Sequence, residues 1–142
     1  MSKPLVIVVD TDAIIAQVKK DDRNHQKAKL TSASLVSLNA QVIYPATTIV
    51  ETVTFIQRPL NNPPLAYGTA QLMAGSSAQV AEVNQQILND AMKYFSSTGS
   101  KKNTLFDCIV VAIAKKVHAD AIFSFDKFYK KQGFKLASEI CS

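Results

Sequence analysis

Near the N-terminus, Leu5-Val6-Ile7-Val8-Val9 runs without a polar interruption and stops at Asp10. Four of the five residues are β-branched, and such side chains favour extended backbone. A strand that is apolar at every position, rather than at every second one, is buried on both faces. A second apolar stretch, Ala121-Ile122-Phe123-Ser124-Phe125, also closes on an aspartate, Asp126. Strands of this kind need helices on both sides, so the rest of the chain is expected to supply two helical layers around a parallel sheet. Neither run approaches the roughly 20 residues of a membrane-spanning helix.

The intervening pattern alternates accordingly. Helices are expected over about 13–20 and 23–39, the second with Ala28, Leu35 and Leu38 on its apolar side. Gln41–Tyr44 reads as a strand stopped by Pro45, and Thr47 or Thr48 as the cap of a helix that Arg58-Pro59 ends near Gln57. Residues 58–78 are broken by Pro59, Pro63, Pro64, Gly68 and Gly75; a structureless loop of that length is unusual, so a short helix is expected near Leu65–Met73. Ala78–Val83 reads as a strand. Val83, Ile87, Ala91, Tyr94 and Phe95 then recur at helical spacing, and a polar loop runs to Asn103. Leu105–Val117 reads as an apolar helix, 121–125 as a buried strand, 127–131 as a short helix, and Phe134–Leu136 as a small strand finishing the chain. The expected fold class is α/β, three layers around a central parallel sheet of about five strands, in one domain over residues 1–142.

In open parallel sheets, ligands collect at the carboxyl ends of the strands. Asp10 and Asp126 each follow a strand, while Glu51 and Asp107 are expected in the first turns of helices that start at the same edge. Capping explains each one singly: Asp10 and Asp126 as N-caps, Thr48-x-x-Glu51 and Thr104-x-x-Asp107 as capping boxes. Capping does not explain why acids recur along one rim. Carboxylates that close repel each other and call for a cation, and hard oxygen donors suit Mg²⁺ or Mn²⁺.

The segments Val8-Val9-Asp10-Thr11-Asp12-Ala13-Ile14-Ile15, Thr47-Thr48-Ile49-Val50-Glu51, Leu105-Phe106-Asp107-Cys108-Ile109-Val110-Val111-Ala112-Ile113-Ala114 and Ser124-Phe125-Asp126-Lys127-Phe128 resemble, in order and spacing, the four signature segments of the PIN domain family. The resemblance covers essentially the whole chain. It implies a PIN-like fold and a Mg²⁺- or Mn²⁺-dependent nuclease, mostly acting on RNA, with the toxins of bacterial toxin–antitoxin pairs among its members. By position, Asp10, Glu51, Asp107 and Asp126 resemble the family's acidic quartet; Asp10 and Asp107 are the expected direct metal ligands, with Glu51 and Asp126 holding metal-bound waters or a second ion. Thr11 and Ser124 resemble its neighbouring hydroxyl positions. Asp12 departs from the small polar residue common there; the favoured reading is a cap of the first helix, the other a further acid behind the ligands. The implied activity is an endoribonuclease cutting single-stranded RNA by metal-assisted attack of water and leaving 5′-phosphate ends, with a cognate antitoxin as a possible partner.

Two other function classes fit parts of the chain. Asp10-Thr11-Asp12 also resembles the nucleophile motif of haloacid-dehalogenase-like phosphatases, although Ile14 stands where that motif has threonine and the chain is short for that fold. The other is a non-catalytic module that binds RNA or protein, against which the intact quartet argues. Sixteen Lys and Arg against eleven Asp and Glu give a net charge of +5, a weak pointer to a polyanionic partner. Lys127, Lys130 and Lys131, just after Asp126, are expected phosphate contacts, with a solvated helix face as the plain alternative. Tyr67, Leu72 and Met73 either form an exposed patch for a partner peptide or a second subunit, as in a homodimer, or are buried core. Cys108 and Cys141 have no metal-ligand spacing and no disulfide framework, which fits a reducing cytoplasm. His25 and His118 have no acid or cysteine at ligand spacing. No membrane partner and no export signal are expected.

Overall fold

The structure is a computed structural model that describes residues 3–75 and 77–141. In it the chain runs β1 (Val6–Val9), α1 (Thr11–Val18), α2 (His25–Ser37), β2 (Gln41–Pro45), α3 (Ala46–Gln57), α4 (Pro63–Ala74), β3 (Gln79–Ala81), α5 (Gln85–Ala91), α6 (Leu105–Lys116), β4 (Ala121–Phe123), α7 (Phe128–Lys131), β5 (Lys135–Leu136) and α8 (Ala137–Ile140). All strand pairings are parallel, and the sheet order is β3-β2-β1-β4-β5. The expected three-layer α/β fold with five parallel strands is therefore present.

The two-residue period of a strand divides the core. Ile7 and Val9 of β1, with Ala121 and Phe123 of β4, pack on one face against Ala13, Ala28, Leu35 and Ala137 from α1, α2 and α8. Val8, Ile43 and Ile122 pack on the other against α5, α6 and Tyr129. Every residue from Cys108 to Ala114 is buried, the signature of a helix enclosed on all sides. That helix is tied down at its start by Thr104 and Asp107 and ends in Lys115 and Lys116, whose charges suit the helix C-terminus. A smaller cluster of Ile15, Ile56 and Ala66 joins α1 to α3 and α4.

Several boundaries differ from the sequence reading. The Pro-broken segment holds a full helix, α4, because Pro63 and Pro64 sit in its first turn, where a missing N–H costs nothing, and Asn62 caps it. Helix α3 begins at Ala46 behind Pro45 with no side-chain cap, so the expected Thr48–Glu51 capping box does not form. Glu51 falls in the second turn, and Thr48 is buried. On α2, Leu38 is the exposed C-cap residue and Thr31 takes the inward place beside Ala28 and Leu35. Met73 is buried, whereas Tyr67 and Leu72 are exposed. Strand β3 is shorter than 78–83, and β4 stops at Phe123 rather than Phe125. The chain also continues past β5 into α8, whose first turn is closed by Glu139 accepting from the N–H of Leu136. Among the described residues, no helix is long and apolar enough to cross a membrane.

Candidate metal centre

Chain direction and strand order place the site. From β1 the chain moves outward to β2 and β3, then returns through α5 and α6 to β4 on the other side of β1. The connections thus diverge between β1 and β4, and a crevice opens at their carboxyl ends. Val9 pairs with Phe123 in register, and the N–H of Asp10 donates to the carbonyl of Phe123 at 3.0 Å. Asp10 is thereby anchored to the end of β4, from which the chain runs on to Asp126.

A cleft of about 300 Å³ lies at this point, and Asp10, Asp12, Glu51, Asp107 and Asp126 all line it. The four acids expected at one rim are brought together there, with Asp12 as a fifth and Asp22 as a sixth. A larger groove of about 600 Å³ lies between α1, α4 and the β2–β3 edge; it contains no acid, lysine, histidine or cysteine and has no comparable chemistry.

Each carboxylate is held by donors from a different part of the chain. Asp10 is the N-cap of α1: its Oδ1 accepts from the N–H of Thr11 at 2.8 Å, and its Oδ2 from the Tyr129 hydroxyl at 2.6 Å. Asp12, expected as the cap, instead lies inside the helix, two residues past the capping position. Its Oδ2 accepts from Ser124 Oγ at 3.0 Å and from the N–H of Phe125 at 2.8 Å, so it ties α1 to the segment carrying Asp126. Glu51 Oε1 accepts from Thr11 Oγ1 at 2.6 Å. Asp107 does complete the predicted capping box, its Oδ2 accepting from the N–H of Thr104 at 2.9 Å, while its Oδ1 takes a longer bond of 3.3 Å from Tyr129. Asp126 Oδ1 accepts from the N–H of Phe128 at 2.9 Å, its Oδ2 from Asn103 Nδ2 at 3.1 Å, and its own N–H donates to Ser124 Oγ at 3.0 Å. Thr11 and Ser124 thus stand beside the acids, as their sequence positions suggest.

Burial and mutual repulsion dominate the electrostatics. Asp10 is 5% exposed, and burial, then Asp12 and Asp107, push its carboxyl well above the usual range against the pull of the Tyr129 bond. Asp12 is raised from 3.8 to about 6, chiefly by burial, with Asp126 adding to it and the Phe125 and Ser124 bonds opposing. Glu51 and Asp107 are also raised, again by burial first, with neighbouring aspartates pushing the same way. A pocket that resists ionisation this strongly is one that a cation relieves.

The donor set fits such a cation in kind: all hard carboxylate oxygens, with one buried oxygen, Asp12 Oδ1, lacking a hydrogen-bond partner. Among the described residues no group of three or more His, Cys, Asp or Glu side chains is arranged to hold an ion directly. Mg²⁺ does not require one, because it usually retains several waters and takes one or two carboxylates. Asp10 and Asp107 are the residues that would hold such a hydrated ion, each oxygen keeping a second lone pair beyond the bond it already accepts.

Four residues of the site escaped the sequence reading, among them Asp22, which lines the cleft. Tyr129 is the aromatic three residues after Asp126, and its spacing from that acid was the available signal. Asn103 directly precedes the Thr104 cap. Lys102, in the polar loop before α6, lines the cleft, whereas Lys127, Lys130 and Lys131 are not among its lining residues, and Lys130 pairs with Glu139 at 2.8 Å. The histidines are structural or exposed, as expected: His25 Nδ1 bonds the carbonyl of Ala16 at 2.7 Å, joining α2 to α1.

No curated protein matches the chain. Among solved structures, it is similar to Mycobacterium tuberculosis VapC20, described as a Sarcin-Ricin loop cleaving toxin, with a TM-score of 0.77 at 21% identity over 91% of this chain and 96% of that one. At that identity the likeness is one of fold. The PIN domain family model matches residues 7–135, a span that holds all six acids of the cleft and every strand but the first residue of β1 and the last of β5, and the chain belongs to the PIN domain family.

Proposed function

We propose that the chain is a single-domain, divalent-metal-dependent endoribonuclease that hydrolyses phosphodiester bonds in single-stranded RNA, acting in the cytoplasm as the toxin of a toxin–antitoxin pair. The observation that carries this reading is the gathering of six carboxylates, the five described above and Asp22, around one cleft on a chain of net charge +5. Family membership supports nuclease chemistry, and the fold shared with a toxin described as cleaving the Sarcin-Ricin loop supports RNA as substrate and an antitoxin as partner. Membership in this family also leaves the phosphatase reading of Asp10 without support: both of its oxygens are hydrogen-bonded and the group is buried, a poor disposition for a nucleophile.

A bound Mg²⁺ or Mn²⁺ supplies Lewis-acid stabilisation of the phosphate and an activated water. The rest is done by the chain's own groups. Asp10 and Asp107 would hold the ion. Thr11 turns Glu51 toward the cleft, and Ser124 fixes Asp12 and the turn that bears Asp126, so that Glu51, Asp12 and Asp126 are placed to orient waters around it. Lys102 at the cleft neutralises substrate phosphate, and Lys127, Lys130 and Lys131 extend that contact along α7. The test is cleavage of a broad RNA panel by purified protein with Mg²⁺, with Mn²⁺ and with EDTA. Cleavage that needs the ion and yields 5′-phosphate ends is expected. Cleavage that persists in EDTA, or none with either metal after any partner has been removed, refutes the proposal.

A further inference from the structure

Tyr129 is the largest side chain in the molecule that is fully buried. Its ring packs in the core that includes Cys108 and Leu136 and meets Phe128 edge-on at 5.4 Å between centroids. A phenylalanine would fill the same space. The hydroxyl is therefore the part that needs a reason, because burying it costs free energy unless it is bonded. Its partners are the carboxylates of Asp10, at 2.6 Å, and Asp107, at 3.3 Å. One hydrogen serves both, with Asp10 taking the short branch.

We propose that Tyr129 is a positioning residue of the metal centre, whose hydroxyl bridges Asp10 and Asp107 and holds the two carboxylates at a fixed separation ready to receive the cation. This rests on the metal-dependent reading above. Asp10 directly follows β1, Asp107 lies in the first turn of α6, and Tyr129 lies on α7, so among the described residues the hydroxyl is the one side-chain group that bonds both acids, across three segments. Its own placement is set by a third carboxyl-bearing segment, the turn at Asp126. Asp126 accepts from the N–H of Phe128 at 2.9 Å, and its N–H is held by Ser124 Oγ at 3.0 Å, which starts α7 and turns Tyr129 inward. A neutral donor suits the task. A lysine in this place would bond both acids but repel the ion, whereas a phenol orients each carboxylate through one oxygen and leaves lone pairs for the metal. Hydrogen bonds behind metal ligands act in this way elsewhere, and their loss typically weakens metal binding by roughly 10–100-fold.

The experiment is Tyr129→Phe, which deletes one oxygen and keeps the ring. Calorimetric titration of the folded variant with Mn²⁺ should show a Kd about 10–100-fold weaker than wild type, and excess Mn²⁺ should restore RNA cleavage. A Kd within about twofold of wild type in a variant with native circular dichroism overturns the proposal. A second measurement needs no variant at this position. Wild type carrying ¹³Cζ-labelled tyrosine, with the signals of Tyr44, Tyr67 and Tyr94 identified by their own Phe substitutions, is titrated with Mg²⁺. The remaining signal should move and saturate at the calorimetric Kd; a signal that stays put also overturns the proposal. Wild type that binds neither ion and cuts no RNA defeats the nuclease reading together with this one. Wild type that does both, beside an unimpaired variant, defeats the role of Tyr129 alone.

Discussion

Lowering the pH should stabilise the metal-free protein. Carboxylates in most folded proteins titrate below their ordinary values and lose stability in acid; here Asp10, Asp12, Glu51 and Asp107 are displaced upward. Asp12 rises from 3.8 to about 6, which makes its ionisation in the folded state roughly 3 kcal/mol more costly than in the unfolded chain. A group with a raised folded value contributes stability that is fully present below the unfolded value and is lost as pH climbs through the folded one. Between about pH 8 and pH 5 Asp12 alone should therefore return on the order of 1 kcal/mol, close to half of the full amount. For a domain of this size that is ~3–6 °C in Tm. Asp10, Glu51 and Asp107 are displaced the same way and add to the rise. Glu139 is lowered from 4.5, first by its bond to Lys130, and loses its contribution only below that value, outside the window. The assay is a series of thermal melts in EDTA from pH 8 to 5, repeated with saturating Mg²⁺. Protons compete with the ion for the same oxygens, so the metal-dependent gain in Tm should shrink as pH falls while the EDTA curve rises. A Tm in EDTA that is flat or falls between pH 8 and 5 would refute the picture of a strained acidic cluster.

Other perturbations follow from the same geometry. Asp107→Asn should abolish cleavage and raise Tm in EDTA at pH 8, because even with the Thr104 bond its carboxyl stays above the usual range, so its charge costs more than the cap returns; a lower Tm with an unchanged metal response would make it a helix cap only. The same variant should lose most of the wild-type gain with metal, which for a ligand at a hundredfold excess over Kd is about 2.7 kcal/mol. Lys102→Ala should weaken RNA binding and reduce the log–log salt slope by about 0.7, the loss of one phosphate contact on a single strand. Lys130→Ala should change it less, since Glu139 already holds that ammonium; equal slopes for wild type and the Lys102 variant would remove Lys102 from the phosphate path.

Much of this molecule was readable from local chemistry. The β-branched run of β1, the enclosed helix α6 and the aspartates that end two strands are short-range patterns, and a parallel α/β sheet follows from them because buried strands demand helices on both faces. The convergence of Asp10, Glu51, Asp107 and Asp126 was legible for the same reason: strand direction puts helix starts and strand ends on one edge. Cap assignments were less secure, since Asp10 and Asp12 have equally suitable side chains for α1 and only the backbone at Thr11 decides between them. Thr48 failed as a cap because Pro45 starts α3 earlier.

What no run of residues announces is which side chains face one another across the crevice. Lys102 reaches the cleft from a polar loop indistinguishable in sequence from other lysine-bearing loops. Tyr129 sits on a four-residue helix whose pattern says nothing of its direction. It meets Asp10 and Asp107 only because β1 and β4 lie side by side, α6 packs over them, and the Asp126 turn aims α7 inward. Hydrophobic periodicity depends on neighbours along the chain and is written in it. Hydrogen bonds between residues 119 positions apart depend on how whole layers dock, and that is decided by packing.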